Sequence, residues 1–223
     1  MTEETRRAFH ADLDVIDSHV HELFTLVEEG LAGATAALLS GDREAARALQ
    51  ARDAIVDALY RDIEVLVPSQ FALQAPVAVD MRFLLAVLRI VPELERSADL
   101  AEHIAQRAAR GLTEALTPRI LGLVERMGAV GSAMWGQAAK GWTARDDAEL
   151  GVRLDAADDE LDELRTSLTA AVASGEVSLP VAMEMALVGR FYERLGDHAV
   201  NVARRISYVV TGGLWPSPEA PRR

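Results

Sequence analysis

Cysteine is absent from this chain of 223 residues, which excludes a disulfide framework and a cysteine nucleophile. Long apolar runs are absent too. No stretch reaches 18 uninterrupted apolar residues, and the most apolar one, VAVDMRFLLAVLRIV, carries Asp80, Arg82 and Arg89. The N-terminal MTEETRRAF is acidic in part and lacks the apolar region of a secretory signal. We therefore expect a cytoplasmic protein with no direct membrane insertion.

Lysine is scarce as well, since Lys140 is the only one, and 35 acidic residues outnumber 23 Lys and Arg to give a formal net charge of −12. Binding to the phosphate backbone of a nucleic acid requires clustered Lys and Arg, so we expect no nucleic-acid partner. The chain also lacks a G-x-S-x-G elbow and a Gly-rich phosphate loop, and no alternating pattern predicts a strand that could carry one. These absences predict that the protein is not an enzyme.

Helix-forming residues dominate what remains, and Pro and Gly divide the chain into long segments. The sequence predicts an all-α protein of six long helices at about 3–39, 42–66, 76–110, 118–140, 146–173 and 180–211. Pro92 lies inside the third segment, where it should bend the helix or divide it into two.

An internal repeat relates the two halves of the chain. ERSADLAEHIA, from Glu95, aligns with ERLGDHAVNVA, from Glu193, and ARDAIVDAL aligns with AADDELDEL. This pattern predicts two tandem, pseudo-symmetric three-helix bundles, neither very stable without the other. We place them at residues 1–112 and 113–212, followed by a flexible tail, 213–223, that is rich in Pro and Gly.

Acidic residues four positions apart recur on corresponding helices of both halves. Helical periodicity places all four pairs on exposed or half-exposed ridges beside the apolar stripes. Like charges at this spacing repel, and cations that prefer oxygen ligands would remove that cost. A solvated acidic face without metal is the alternative. The pairs are Asp53 with Asp57, Glu95 with Asp99, Asp158 with Asp162, and Glu193 with Asp197, which Asn201 follows at the same spacing.

Histidine does not extend these pairs into a redox di-iron site. Such bundles use Glu-x-x-His twice, and none of the five histidines has a Glu three residues before it. His103 and His198 adjoin the acidic motifs, and we consider them, with Asn201, as possible outer contacts. A carboxylate metal-storage or metalloenzyme bundle and a metal-free helical scaffold remain alternative functions.

The doubled E-R-x-x-D and D-x-x-x-D motifs, together with ALQAPVAVDMR and VVTG, resemble the PhoU family of bacterial phosphate-uptake regulators. The resemblance implies a cytoplasmic six-helix protein, often a homodimer, whose E(D)-x-x-x-D motifs hold multinuclear metal clusters at the surface. Iron or zinc is the expected metal, with manganese or magnesium as alternatives. The resemblance assigns Asp53, Asp57, Glu95 and Asp99 to one cluster and Asp158, Asp162, Glu193 and Asp197 to the other.

The same resemblance implies a negative regulator of phosphate signalling. When phosphate is plentiful, it would link the ATPase subunit of the phosphate ABC transporter to a sensor histidine kinase. The second half keeps the family pattern fully, whereas the first has Ala98 for Gly, Leu100 for His and His103 for Asn. We therefore expect the second cluster to be the better metal site.

Overall fold

Seven α-helices make up nearly all of the part of the chain that the computed structural model describes, residues 3–74, 76 and 78–213. A short 3-10 turn, Thr113–Ala115, joins the two halves, and no strand occurs in these residues, so the all-α prediction is confirmed. The helices are α1 (Glu3–Ser40), α2 (Arg43–Gln50), α3 (Asp53–Gln74), α4 (Ala78–Ala109), α5 (Pro118–Ala144), α6 (Leu150–Ala173) and α7 (Leu179–Thr211).

Local signals explain where several helices begin and end. The Asp42 carboxylate accepts hydrogen bonds from two backbone N–H groups at the start of α2, and the Thr117 hydroxyl oxygen accepts one at the start of α5. Pro118 occupies the first turn of α5, where a missing N–H group costs nothing. At the other end of the chain, α7 stops at Gly212, whose φ of 63° is a left-handed conformation that glycine adopts without strain.

The prediction of one helix at 42–66 was wrong in its interior and at its C-terminal end. Two helices occupy this segment, because the chain breaks after Gln50 and resumes at Asp53. The second of them continues through Pro68 to Gln74. Pro68 forfeits one backbone hydrogen bond, and burial of Val67 and Gln70 on either side holds the helix together across that gap.

Pro92 does not divide the third predicted helix, since α4 is helical from Ala78 to Ala109. The alternative of two helices there was therefore wrong. Val91 and Leu94 flank the proline and are buried, so tertiary packing stabilises the helix where its own hydrogen bonding is interrupted.

Two three-helix units pack together around one core. The first contains α1, the α2–α3 pair and α4, and the second contains α5, α6 and α7. Equivalent helices meet across the pseudo-symmetry, α1 against α5 and α4 against α7. Buried apolar residues of both units form a single continuous cluster. The tandem three-helix architecture is thus confirmed, whereas the predicted tail lies outside the described residues after Gly213 and its flexibility stays a prediction.

Within the described residues, one helix is long and apolar enough to cross a membrane by length and composition alone, Arg6–Ser40 in α1. Its apolar residues are already used by the fold, because Ile16, Val20, Leu23 and Val27 are completely buried among the other helices. Core helices of soluble proteins often have this length and composition, so α1 gives only weak support to a membrane-spanning role.

Candidate metal centre

The first predicted cluster lies where the start of α3 packs against the middle of α4. Asp53 stands in the first turn of α3 and is half-buried, while Asp57, one turn later, is exposed. Glu95 and Asp99 are half-buried on α4. All four side chains are therefore exposed or half-buried, as the sequence predicted.

The carboxylates of the first cluster act on one another electrostatically. Burial raises the pKa of Asp53, Glu95 and Asp99, and the charges of neighbouring acids raise each pKa further. The Asp99 carboxylate acts on Glu95, and Asp53 acts on Asp99. Asp57 contributes to all three. The first cluster is thus a site where negative charge is disfavoured and an added cation would be stabilised.

A fifth carboxylate, Glu102, belongs to the first cluster and was missed. Its charge raises the pKa of Asp53 and of Asp99, and it borders a cavity of about 30 Å³ together with Asp53 and Arg52. The predicted ligands are acids that recur in both halves, whereas the position equivalent to Glu102 is Val200. A spacing of three residues from Asp99, also one helical turn, was the signal that could have identified it.

In the second cluster, Asp158 is buried, with 6% of its surface exposed. The expectation that all four acidic pairs lie on exposed or half-exposed ridges was therefore wrong for this residue. Gly196 is the reason: a Cβ there would clash with Asp158 Oδ1 and lie 2.7 Å from Leu161 Cδ1. The missing methyl group lets α7 approach α6 closely enough to cover the Asp158 carboxylate.

Two arginines hold Glu193, whose side chain is only 13% exposed. Arg165 Nε on α6 lies 3.1 Å from Glu193 Oε2, a charge contact whose angle is not that of a hydrogen bond. Arg190 Nη1, one turn earlier on α7, contacts Glu193 Oε1. Both carboxylate oxygens of this predicted ligand therefore face a guanidinium group.

Asp162 and Asp197 complete the second cluster. Asp197 is exposed, but partial desolvation of its carboxylate raises its pKa, and the charges of Glu193 and Asp162 raise that pKa further. The charges of Arg190 and Arg194 lower it. The Glu193 contact raises the pKa of Arg190 most, followed by the charges of Asp197 and Asp162. Three of the four predicted ligands therefore act on Arg190 electrostatically.

The possible outer contacts occupy different environments. Asn201 is exposed on α7. The ring of His103 lies 5.3 Å from that of Phe191, and its charge lowers the pKa of Asp99, which places it beside the first cluster. His198 is buried between the repeats and faces α4, with Nδ1 3.0 Å from Ser97 Oγ.

The donors of the first cluster fit a cation that prefers oxygen ligands, because several carboxylates share one partly desolvated ridge with little positive charge. The second cluster does not fit without movement of Arg165 and Arg190. Among the described residues, no three His, Asp or Glu side chains converge closely enough to hold one ion. Metal binding at either cluster therefore requires side-chain rearrangement, and the eight ligand assignments stay predictions.

This chain is a two-repeat all-α protein. It has two pseudo-symmetric three-helix bundles with one shared core, and each bundle carries an acidic cluster between its second and third segments. The PhoU domain model matches this chain twice, at residues 20–108 and 124–206, once in each repeat. The chain belongs to the PhoU family.

Several known proteins are similar to this one over nearly the whole chain. The phosphate-specific transport system accessory protein PhoU homolog 2 of Mycobacterium tuberculosis is 31% identical over 94% of this chain and 99% of its own length. The PhoU homolog of Synechocystis is 33% identical over 93% of both chains. The crystal structure of PhoU from Pseudomonas aeruginosa superposes with a TM-score of 0.85 at 26% identity, covering 92% of this chain and all of the other. The Streptococcus pneumoniae structure, at 22% identity and a TM-score of 0.82, shares the fold.

Proposed function

We propose that this protein is an accessory protein of phosphate transport that acts as a negative regulator of phosphate signalling. The observation that carries the proposal is the match of both repeats to the PhoU domain, combined with relatives named as accessory proteins of the phosphate-specific transport system. In this role it links the ATPase subunit of the phosphate ABC transporter to a sensor histidine kinase, and it prevents the kinase from activating the starvation response when phosphate is plentiful.

The physical character of the molecule supports an adaptor. Long helices present two acidic surfaces that are related by pseudo-symmetry, and the shared core keeps their relative orientation fixed. Charged surfaces of this kind favour specific and rapid association with partners of complementary charge. We propose a cytoplasmic homodimer that binds metal ions through the first carboxylate cluster, with iron or zinc as the metal and manganese or magnesium as alternatives.

Deletion of the gene tests the regulatory proposal. A reporter for phosphate-starvation genes should rise at least severalfold in high phosphate, and the wild-type chain expressed from a plasmid should restore repression. Affinity purification of the tagged chain from phosphate-replete membranes should recover the transporter ATPase and the kinase. Unchanged reporter expression in the deletion strain would refute negative regulation, and recovery of neither partner would refute the adaptor role.

A further inference from the structure

We infer that the second carboxylate cluster of this chain is closed to cations by its own arginines, Arg165 and Arg190, which take the position of a metal on Glu193. The inference rests on the metal-binding part of the proposed function. It reverses the expectation, drawn from the better-preserved motif, that the second cluster is the better metal site.

The contacts of Glu193 are the first step. One guanidinium reaches it from α6 and the other from its own helix, so each carboxylate oxygen already faces a positive charge. Each carboxylate oxygen keeps a further lone pair, but a cation that approaches Glu193 is repelled by the two guanidinium charges already beside it. Arg190 contacts Glu193, and the charges of Asp197 and Asp162 also act on it, so this arginine supplies the positive charge that a shared cation would bring.

The repeat supplies the second step, because the two halves differ at both arginine positions. Tyr60 stands in the first half where the second has Arg165, and Pro92 stands where it has Arg190. Neither replacement can neutralise a carboxylate. Glu95, the counterpart of Glu193, therefore keeps only the nearby Arg96 as a source of positive charge among the groups that act on its pKa. The two clusters share one motif but differ in their counter-ions.

The two arginine side chains are partly exposed to solvent. The Arg190 side chain is 50% exposed and that of Arg165 is 38% exposed, so both guanidinium groups stand at the rim of the cluster. Neither is locked by burial. Removing their charge should therefore open the cluster without disturbing the apolar face of α7, where Leu195, Val202 and Ile206 are buried.

Calorimetric titration of the chelator-treated full-length chain with Mn²⁺ tests the inference. The double variant Arg165→Gln and Arg190→Gln should bind Mn²⁺ at the second cluster, where the wild type binds it at least roughly tenfold more weakly. A tenfold change is a typical size for coupling between two binding events. Adding Asp162→Asn and Asp197→Asn should remove that gain. The single variant Arg190→Gln, at an exposed position, should show part of it.

A charge-matched control separates a local effect from general attraction of cations to an acidic protein. Arg126→Gln with Arg153→Gln also removes two positive charges, from ion pairs with Glu160 and Asp147 outside the cluster. The inference is overturned if the test variant binds no better than this control, or if Asp162→Asn with Asp197→Asn removes Mn²⁺ binding from the wild type.

The first cluster is judged by separate variants. If Asp53→Asn with Asp99→Asn leaves Mn²⁺ binding of the wild type unchanged, the proposed metal site of the first half fails, whatever the arginine variants show.

Discussion

The hydroxyl oxygen of Tyr192 lies 2.7 Å from Thr35 Oγ1, and this buried contact joins the first helix of one repeat to the last helix of the other. Thr35 Oγ1 also lies 2.8 Å from the carbonyl oxygen of Leu31, to which it donates its only proton. Tyr192 must therefore be the donor in the contact between the repeats. The bond fixes the relative positions of α1 and α7 inside the shared core.

Removing either partner of this bond should have unequal effects. Thr35→Val leaves a buried Tyr192 hydroxyl without an acceptor and should lower the free energy of unfolding by about 1–3 kcal/mol, whereas Tyr192→Phe should cost about 1 kcal/mol. The double variant should resemble Tyr192→Phe alone. Urea unfolding followed by circular dichroism measures all three. A smaller loss for Thr35→Val than for Tyr192→Phe would contradict the assigned direction of donation.

Gly196 should resist substitution because of the Asp158 carboxylate that packs on it. Gly196→Ala introduces a methyl group into that contact and should lower the free energy of unfolding by about 1–3 kcal/mol. Gly122→Ala in α5 is the matched control. A Cβ there meets no atom within 4 Å, so the better helix propensity of alanine should raise stability by up to about 1 kcal/mol. Thermal unfolding that moves in the same direction for both variants would argue against close packing at Gly196.

The first cluster should make the metal-free protein less stable as its carboxylates ionise. The raised pKa of Asp99 means that the folded state holds its proton more tightly than the unfolded state. Stability from this group is therefore present below the ordinary carboxyl pKa, about 4, and is lost as pH rises through the folded value. Asp99→Asn should be more stable than the wild type at pH 7 in chelator, and the difference should vanish near pH 3.

Asp147 supplies a control of opposite sign. Its contact with Arg153 lowers its pKa, so its contribution is present above the ordinary carboxyl pKa and disappears as pH falls through the folded value. Asp147→Asn should therefore lose stability at neutral pH, where Asp99→Asn gains it. Equal shifts for the two variants in chelator would rule out a cluster-specific repulsion.

His198 should make the protein sensitive to mild acid. Burial, first, and the nearby charges of Arg194 and Arg96 lower its pKa to about 4, so the ring is neutral at pH 7 and its 3.7 Å approach to Glu93 is not an ion pair. The unfolded chain takes up a proton near pH 6.5. Stability should thus fall as pH drops from 6.5 to 4, on the order of 3 kcal/mol.

The variant His198→Gln isolates this effect. It should give a flatter dependence of the urea midpoint on pH between 6.5 and 4, while the wild type declines. If the two chains decline in parallel, another group is responsible for the acid sensitivity.

Periodicity and the positions of Pro and Gly predicted the all-α class and most helix ends, because these depend on local chemistry, and the alignment of the two halves predicted the repeat. The break between α2 and α3 was not predictable in this way, since Ala51 and Arg52 are not helix breakers. The same limit applies to the acidic motifs. Spacing identified Glu193, and its partner Arg190 lies one turn earlier on the same helix. The second partner, Arg165, depends on how α6 and α7 approach each other, and the burial of Asp158 depends on Gly196.

The shared core ties the inward-facing residues of one repeat to those of the other. A change at Thr35 alters the environment of Tyr192 in the second repeat, so the inner surfaces of the two repeats constrain each other. Positions outside this contact differ between the halves, as half-buried Tyr60 does from its counterpart Arg165. A protein built by duplication can therefore keep one shape while natural selection gives its two halves different duties.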